Sequence, residues 1–276
     1  MKKFLFILIF LELCQIGHCA NYTQDANAVM CLTMEEGTGT STDDVSANSN
    51  VGNFYGTTNP VWYNTNTPAA YSSWALDFDG ATSMLDCGNS ATFDNLGPIS
   101  GVVWINADSN GESNVGRIFD HTTSSSSTPK MTLRFYFDRA LQFMVDGTTD
   151  LSVITSQTVV SFSTWTHVAL VWDGTFNDAT TVHIYLGGVE TTYATQTNGD
   201  TRASDSGNSF WMGGVTSLFT HCFNGRMDEM EIFSRTISST EINDIKDNGL
   251  VGTAAGGTTQ FPIELIGAYI GVKIGR

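Results

Sequence analysis

Basic residues are scarce in this chain: 12 Lys and Arg stand against 28 Asp and Glu over 276 residues, a formal net charge of -16. So little positive charge excludes a nucleic-acid binder, which needs a basic stripe to release counterions from phosphates. Charge of either sign is sparse as well, at 14% of residues. That excludes a coiled coil or long helical array, which draws roughly half its residues from Ala, Glu, Lys, Leu and Arg. Zinc-type spacing of Cys and His, a glycine-rich phosphate loop and a Gly-x-Ser-x-Gly turn are all missing. What the chain has in quantity is 17 Phe, 8 Tyr and 6 Trp within a 41% hydrophobic composition, enough apolar surface to offset the entropy of folding. Aromatic and β-branched residues set among Gly, Asn, Ser and Thr point to short strands joined by many turns.

The first 20 residues have the pattern of a secretory signal peptide. Met1-Lys2-Lys3 is a positive start, Phe4 to Leu13 an apolar stretch broken only by Glu12, and Gly17-His18-Cys19-Ala20 a small-residue cleavage site. The apolar stretch is shorter than the roughly 20 residues that span a bilayer, so no membrane insertion is expected. The expected organisation is a signal peptide over 1–20, one domain over 21–252 and a C-terminal extension over 253–276. The expected location is secreted or cell-surface. In that compartment disulfides are permitted, and Cys31, Cys87 and Cys222 remain. Either Cys31 and Cys222 pair, or all three are separate buried thiols. Asn21-Tyr22-Thr23 is a glycosylation acceptor in a eukaryotic host.

Strand-length apolar or alternating runs recur between turn clusters at Val29–Met34, Trp74–Phe78, Ile99–Ile105, Arg117–Asp120, Met131–Phe137, Leu141–Val145, Thr166–Trp172, Val182–Leu186, Phe210–Met212 and Arg226–Phe233. Gly187-Gly188 reads as a tight hairpin turn. One helix is signalled over Ser239–Asp247. Ser238 and Glu241 make a capping box, Ile237 and Ile242 a staple, and Asn248-Gly249 a stop. The fold class is therefore all-β: a two-sheet antiparallel β-sandwich with one short C-terminal helix, packed through Ile242 and Ile245.

The order of these elements resembles the LamG-like jelly roll of the concanavalin A-like lectin/glucanase superfamily. Five blocks carry the resemblance, spread over Ala28 to Gly252. They are Met34-Glu35-Glu36-Gly37-Thr38-Gly39 with the Asp44 to Gly52 loop, Ala75-Leu76-Asp77-Phe78-Asp79-Gly80, Ile99 to Ile105, Trp165 to Gly174, and Phe223 to Arg235 followed by Thr240-Glu241-Ile242. Ala47 and Ser49 depart from the family's usual glycines in the Asp44 loop. The resemblance implies a structural calcium ion held by Asp44, Asn50 and Asp228, as a hard cation in a secreted acidic protein would be. The other reading makes Asp44 an ordinary turn residue and pairs Asp228 with Arg235.

Glucanases of the superfamily carry Glu-x-Asp-x-Glu on a central strand. Here Asp228-Glu229-Met230-Glu231 offers two carboxylates, Glu229 and Glu231, on one strand face, but Arg226 or Met227 falls where the nucleophile is required. No catalytic residue is assigned and the chain is read as non-catalytic, with a diverged glycoside hydrolase as the alternative. His167 lies in a strand pattern and is expected to be a core residue. The expected partner is a carbohydrate, or a glycosylated or other extracellular protein. The candidate contacts are loop aromatics that stack on sugar faces: Trp62, Tyr63 and Tyr71, then Phe219 and His221. Packing over the sandwich edge is the alternative for each, as is a purely structural surface module for the whole chain.

Overall fold

A computed structural model of the chain describes residues 21–251 apart from 124–128 and 216–219. The expected signal peptide and C-terminal extension lie outside the described residues, as does Phe219. In chain order the strands begin with β1 (Ala28–Leu32), β2 (Ser41–Thr42), β3 (Gly52–Tyr55), β4 (Val61–Tyr63), β5 (Ala75–Asp79), β6 (Met84–Asp86) and β7 (Ile99–Ala107). They continue with β8 (Arg117–Thr122), β9 (Met131–Tyr136), β10 (Ala140–Val145), β11 (Gly147–Thr149), β12 (Leu151–Thr155) and β13 (Thr166–Trp172). The last are β14 (Val182–Leu186), β15 (Val189–Glu190), β16 (Tyr193–Thr197), β17 (Asp200–Arg202), β18 (Ser209–Met212) and β19 (Asn224–Phe233), followed by helix α1 (Ser239–Asn248).

Two large antiparallel sheets form the sandwich. The eight-stranded sheet runs β15, β14, β13, β7, β19, β5, β4, with β1 also paired to β19. The nine-stranded sheet runs β16, β12, β10, β9, β8, β18, β6, β3, β2. Period-two alternation decides which side chains meet between them. Val103 and Ile105 of β7, Val168, Leu170 and Trp172 of β13, and Met227, Met230 and Ile232 of β19 face Phe119, Leu133, Phe135, Phe143 and Val153 of the other sheet in one buried core. Each fully buried side chain of this kind contributes roughly 1.5–3 kcal/mol.

The alternate residues of the eight-stranded sheet face outward and are covered in turn. Cys31, Val102, Ala169, Val171 and Phe233 pack with Tyr22, Ile237 and Leu250 against Ile242 and Ile245 of α1. The capping box forms as expected: Ser238 Oγ accepts from the Glu241 N–H, and the Glu241 carboxylate accepts from the Ser238 N–H at 2.7 Å. Gly187 and Gly188 take φ of 59° and 83° between β14 and β15, the backbone a two-residue hairpin requires. A Cβ on Gly188 would come within 2.1 Å of Asn243 Oδ1, so the hairpin seats against α1 only as glycine. Cys31, Cys87 and Cys222 are buried free thiols, the second of the two expected states.

Candidate functional site

The Asp44 loop is closed on itself. Asp44 Oδ1 accepts from the N–H groups of Cys31 and Ser46, and Oδ2 from the Ser46 hydroxyl and the Asn50 N–H, at 2.7–2.9 Å. The Asn50 side chain donates to the Val29 carbonyl and the Thr92 hydroxyl. Neither residue joins Asp228. The expected trio of Asp44, Asn50 and Asp228 is thus not joined by these contacts: Asp44 ties its own turn to β1, and its carboxylate accepts from four protein donors. Arg235 does not pair with Asp228 either; it bonds Asp25 and Glu241.

Asp228 instead meets two other carboxylates. Glu35, Asp228 and Glu229 offer oxygens that all lie within 4.8 Å of one another. A bulge in the β19–β7 pairing between Asp228 and Glu231 creates this geometry, with Glu229 at φ 52°, a costly region for a residue with a Cβ. Asp228 accepts from the Ser72 hydroxyl at 2.5 Å and from the Glu229 N–H at 2.9 Å. Glu35 accepts from the Ser73 N–H, and Glu229 Oε2 accepts from the Leu250 N–H at 2.9 Å. Among the described residues no basic side chain is ion-paired with any of the three. Burial, reinforced by the neighbouring carboxylates, raises the proton affinity of Asp228 and brings Glu229 to about 7. Glu35, Tyr71, Glu229, Leu250 and the end of α1 line a cavity of about 360 Å³ beside this cluster.

Glu231 is a different case. It is fully buried beside Cys31, neither carboxylate oxygen has a hydrogen-bond partner among the described residues, and burial pushes it up to about 9. Glu229 and Glu231 therefore do not form an open catalytic pair. His167 is buried with both ring nitrogens unpartnered, and burial lowers it to about 3, as a neutral packing residue.

The sugar-contact candidates scatter. Trp62 and Tyr63 lie not in a loop but in the short edge strand β4, paired with β5. Trp62 packs on Phe54 with ring centroids 5.5 Å apart and donates to the Gly39 carbonyl, and Tyr63 sits 4.3 Å beneath the Arg226 guanidinium. Their missing alternation reflects an edge position. Tyr71 bridges Trp104 and the Lys246 carbonyl, which holds the 360 Å³ cavity wall in place. His221 lies at φ 58°, half-buried beside Arg117 and Arg134 on the opposite sheet. No signal in the sequence unites Glu35 with Asp228 and Glu229. The family-like opening block contained Glu35, and only the folded path of the loop after β1 shows which of its acids meets β19.

Residues 79–243 match a family model described as the concanavalin A-like lectin/glucanases superfamily. The chain belongs to this superfamily. Solved structures share the fold at low identity. Domain 4 of AbnA, an extracellular GH43 arabinanase from Geobacillus stearothermophilus in complex with arabinotriose, aligns with a TM-score of 0.55 and 14% identity, covering 80% of this chain and 98% of that domain. The binding domain of Paraclostridial Mosquitocidal Protein 1 aligns at 0.57 and 14%, covering 80% of this chain and 52% of that one. Trypanosoma rangeli sialidase in complex with sialic acid aligns at 0.57 and 14%, covering 84% and 34%. The chain thus spans about half of the toxin domain and a third of the sialidase. No curated protein matches it in sequence. The superfamily includes both lectins and glucanases, so membership alone does not divide binding from catalysis. Among the described residues no helix is long and apolar enough to cross a membrane.

Proposed function

We propose that this member of the concanavalin A-like superfamily is a secreted, non-catalytic domain that binds carbohydrate and is stabilised by one divalent cation. The observation that carries the non-catalytic reading is where the acids of β19 lie. Asp228 and Glu229 are committed to the Ser72 hydroxyl and to the Glu229 and Leu250 backbone, and Glu231 is sealed from any substrate. A retaining glycosidase needs two free carboxyls flanking a bond, about 5–5.5 Å apart across an open cleft. Carbohydrate as ligand is supported by the arabinanase domain, which this chain covers almost whole and which was solved with arabinotriose. Secretion is supported by the charged-apolar-small pattern of residues 1–20.

The cation reading follows from charge balance. Three carboxylates share one site without a basic partner, and a calcium ion, which takes 6–8 oxygens from carboxylates, carbonyls and water, suits that donor set. Its role would be to pin the Glu35 loop, the Ser72 loop and the Leu250 turn together. A glycan array together with a reducing-end assay on β-glucans tests the function: binding without turnover is expected. Turnover abolished in Glu229→Gln replaces the reading with a hydrolase. For the cation, the melting temperature should rise with millimolar calcium and fall with chelator, and Asp228→Ala should stop responding. A site filled to 100 times its dissociation constant contributes about 2.7 kcal/mol. An unresponsive parent protein removes calcium from the account.

A further inference from the structure

The outward face of the nine-stranded sheet carries a row of directly opposed side chains that no function above uses. Strand register places Arg117 of β8 opposite Arg134 of β9, Arg134 opposite Gln142 of β10, Gln142 opposite Ile154 of β12, and Ile154 opposite Thr195 of β16. At an inter-strand spacing of about 4.8 Å, this row extends about 19 Å.

Two properties of the row point to a ligand. The first is its charge. Like charges directly opposite across strands are destabilising, yet Arg117 and Arg134 face each other with one carboxylate, Asp120, to serve both. Asp120 ion-pairs with Arg117 at 3.1 Å. Arg134 is held through its Nε, which donates to Gln142 Oε1 at 2.7 Å, while Gln142 donates to Ser152 at 2.8 Å. This braces the guanidinium and leaves its terminal nitrogens without a partner among the described residues. The surplus cation stands in a chain whose net charge is -16. The crowding is felt electrostatically: burial and the neighbouring Arg117 bring Arg134 down to about 10, and burial, with a smaller push from both guanidiniums, lowers His221.

The second property is an open groove continuing from the same face. Tyr136, two residues beyond Arg134, lines with Phe137, Ile154, Gln157 and Thr195 a cavity of about 320 Å³. Phe137 is 50% exposed, among the described residues the one aromatic of the large hydrophobic side chains left to solvent, and its ring stands edge-on to Tyr136 at 5.1 Å. An exposed ring beside hydroxyl and amide groups is what a sugar face packs on.

We propose that this face is an extended site for an anionic oligosaccharide, with an acidic group of the glycan bound by the half-buried Arg134, whose neighbour Arg117 is itself buried, and an adjacent ring packed on Phe137 in the groove. The proposal rests on the carbohydrate-binding reading and adds to it the sheet face, the contact residues and the charge of the ligand. The acidic group is a carboxylate or a sulfate, both of which a guanidinium binds through charge-assisted hydrogen bonds.

Calorimetry at low salt tests it with three probes of equal length: an oligogalacturonate, a heparin-derived oligosaccharide and a neutral cello-oligosaccharide. One of the two anionic probes is expected to bind about tenfold or more tighter than the neutral one, as a charged hydrogen bond of about 1.5–3 kcal/mol requires, and to weaken with added salt. Which of the two binds identifies the acidic group. Arg134→Gln should remove that advantage while leaving circular dichroism unchanged, and Phe137→Ala, at an exposed position, should weaken binding of the same probe. Anionic probes that bind no tighter than the neutral one, or wild-type affinity in both variants, overturn the proposal. Neutral binding alone overturns only this inference. No binding to any probe, together with a blank glycan array, removes the carbohydrate reading as well.

Discussion

The two outward faces of the sandwich are built from the same alternation but closed in different ways. On the eight-stranded sheet, the outward residues are apolar and pressed under Ile242 and Ile245, or acidic and tied to loops, as Asp228 and Glu229 are. On the nine-stranded sheet, they are guanidinium, amide and hydroxyl groups joined in a lateral chain through Arg134, Gln142 and Ser152, running out to a groove with an exposed phenyl ring. The first face has its partner within the chain and behaves as a second core. Among the described residues no helix crosses the second, and its polar groups are braced at fixed positions, with Arg117, Asp120 and Gln142 buried and Arg134 half-buried. The proposed oligosaccharide site thus lies on the sheet that α1 leaves uncovered.

Several substitutions sharpen or break this division. Ile245→Ala empties a buried position under α1 and should cost about 2–5 kcal/mol in denaturant unfolding. A truncation on the other outward face, Gln142→Ala, should cost less, about 1–3 kcal/mol, because it removes two hydrogen bonds and leaves the Arg134 Nε–H without its acceptor. Equal costs would show that the nine-stranded face is also core.

The acids under α1 set a pH dependence of definite sign. The folded protein holds a proton on Glu231 up to about 9 and on Glu229 up to about 7, while the unfolded chain releases both near 4.5. The native state then binds more protons across that window, so stability falls as pH rises from about 4.5, by about 1.4 kcal/mol per unit for each group still titrating. Glu231→Gln should remove one proton's share of that slope up to about pH 9. Calcium should flatten the Glu229 share. Asp79, held near 2 by the N–H groups of Ala81, Thr82 and Ser83 and the Ser83 hydroxyl, acts with the opposite sign and only in acid. A pH-independent melting temperature between 5 and 9 in chelator would contradict the burial of these acids. The smallest effect is expected at the helix entry, where Ser238→Ala should cost about 1 kcal/mol through the lost cap.

Much of the fold was legible in the residues. The ten apolar runs all became strands, with ends shifted by a residue or two, and α1 runs one residue past its expected end because Ser238, Glu241 and Gly249 are local signals. Nine strands were not visible: β2, β3, β4, β6, β11, β15 and β17 have two to four residues, too few to carry a period, and the five-residue β12 and β16 are rich in Ser, Thr and Gln. The sites were harder to read for a physical reason. A cross-strand row such as Arg117, Arg134, Gln142, Ile154 and Thr195 takes one residue from each of five strands, and alternation within a strand fixes the face but not the neighbour. The same holds for Glu35 and Asp228. Asp44 had the right chemistry for a cation, but four protein donors had already satisfied it.

The division between the faces is tested most directly by amide hydrogen exchange on the whole chain with and without the anionic oligosaccharide that binds it. Added protection confined to β9, β10, β12 and the loop bearing Gln157, with β19 and α1 unchanged, is the expected result. Protection that instead appears at Asp228, Glu229 and Leu250 would contradict the account, because it would place the ligand on the face closed by α1.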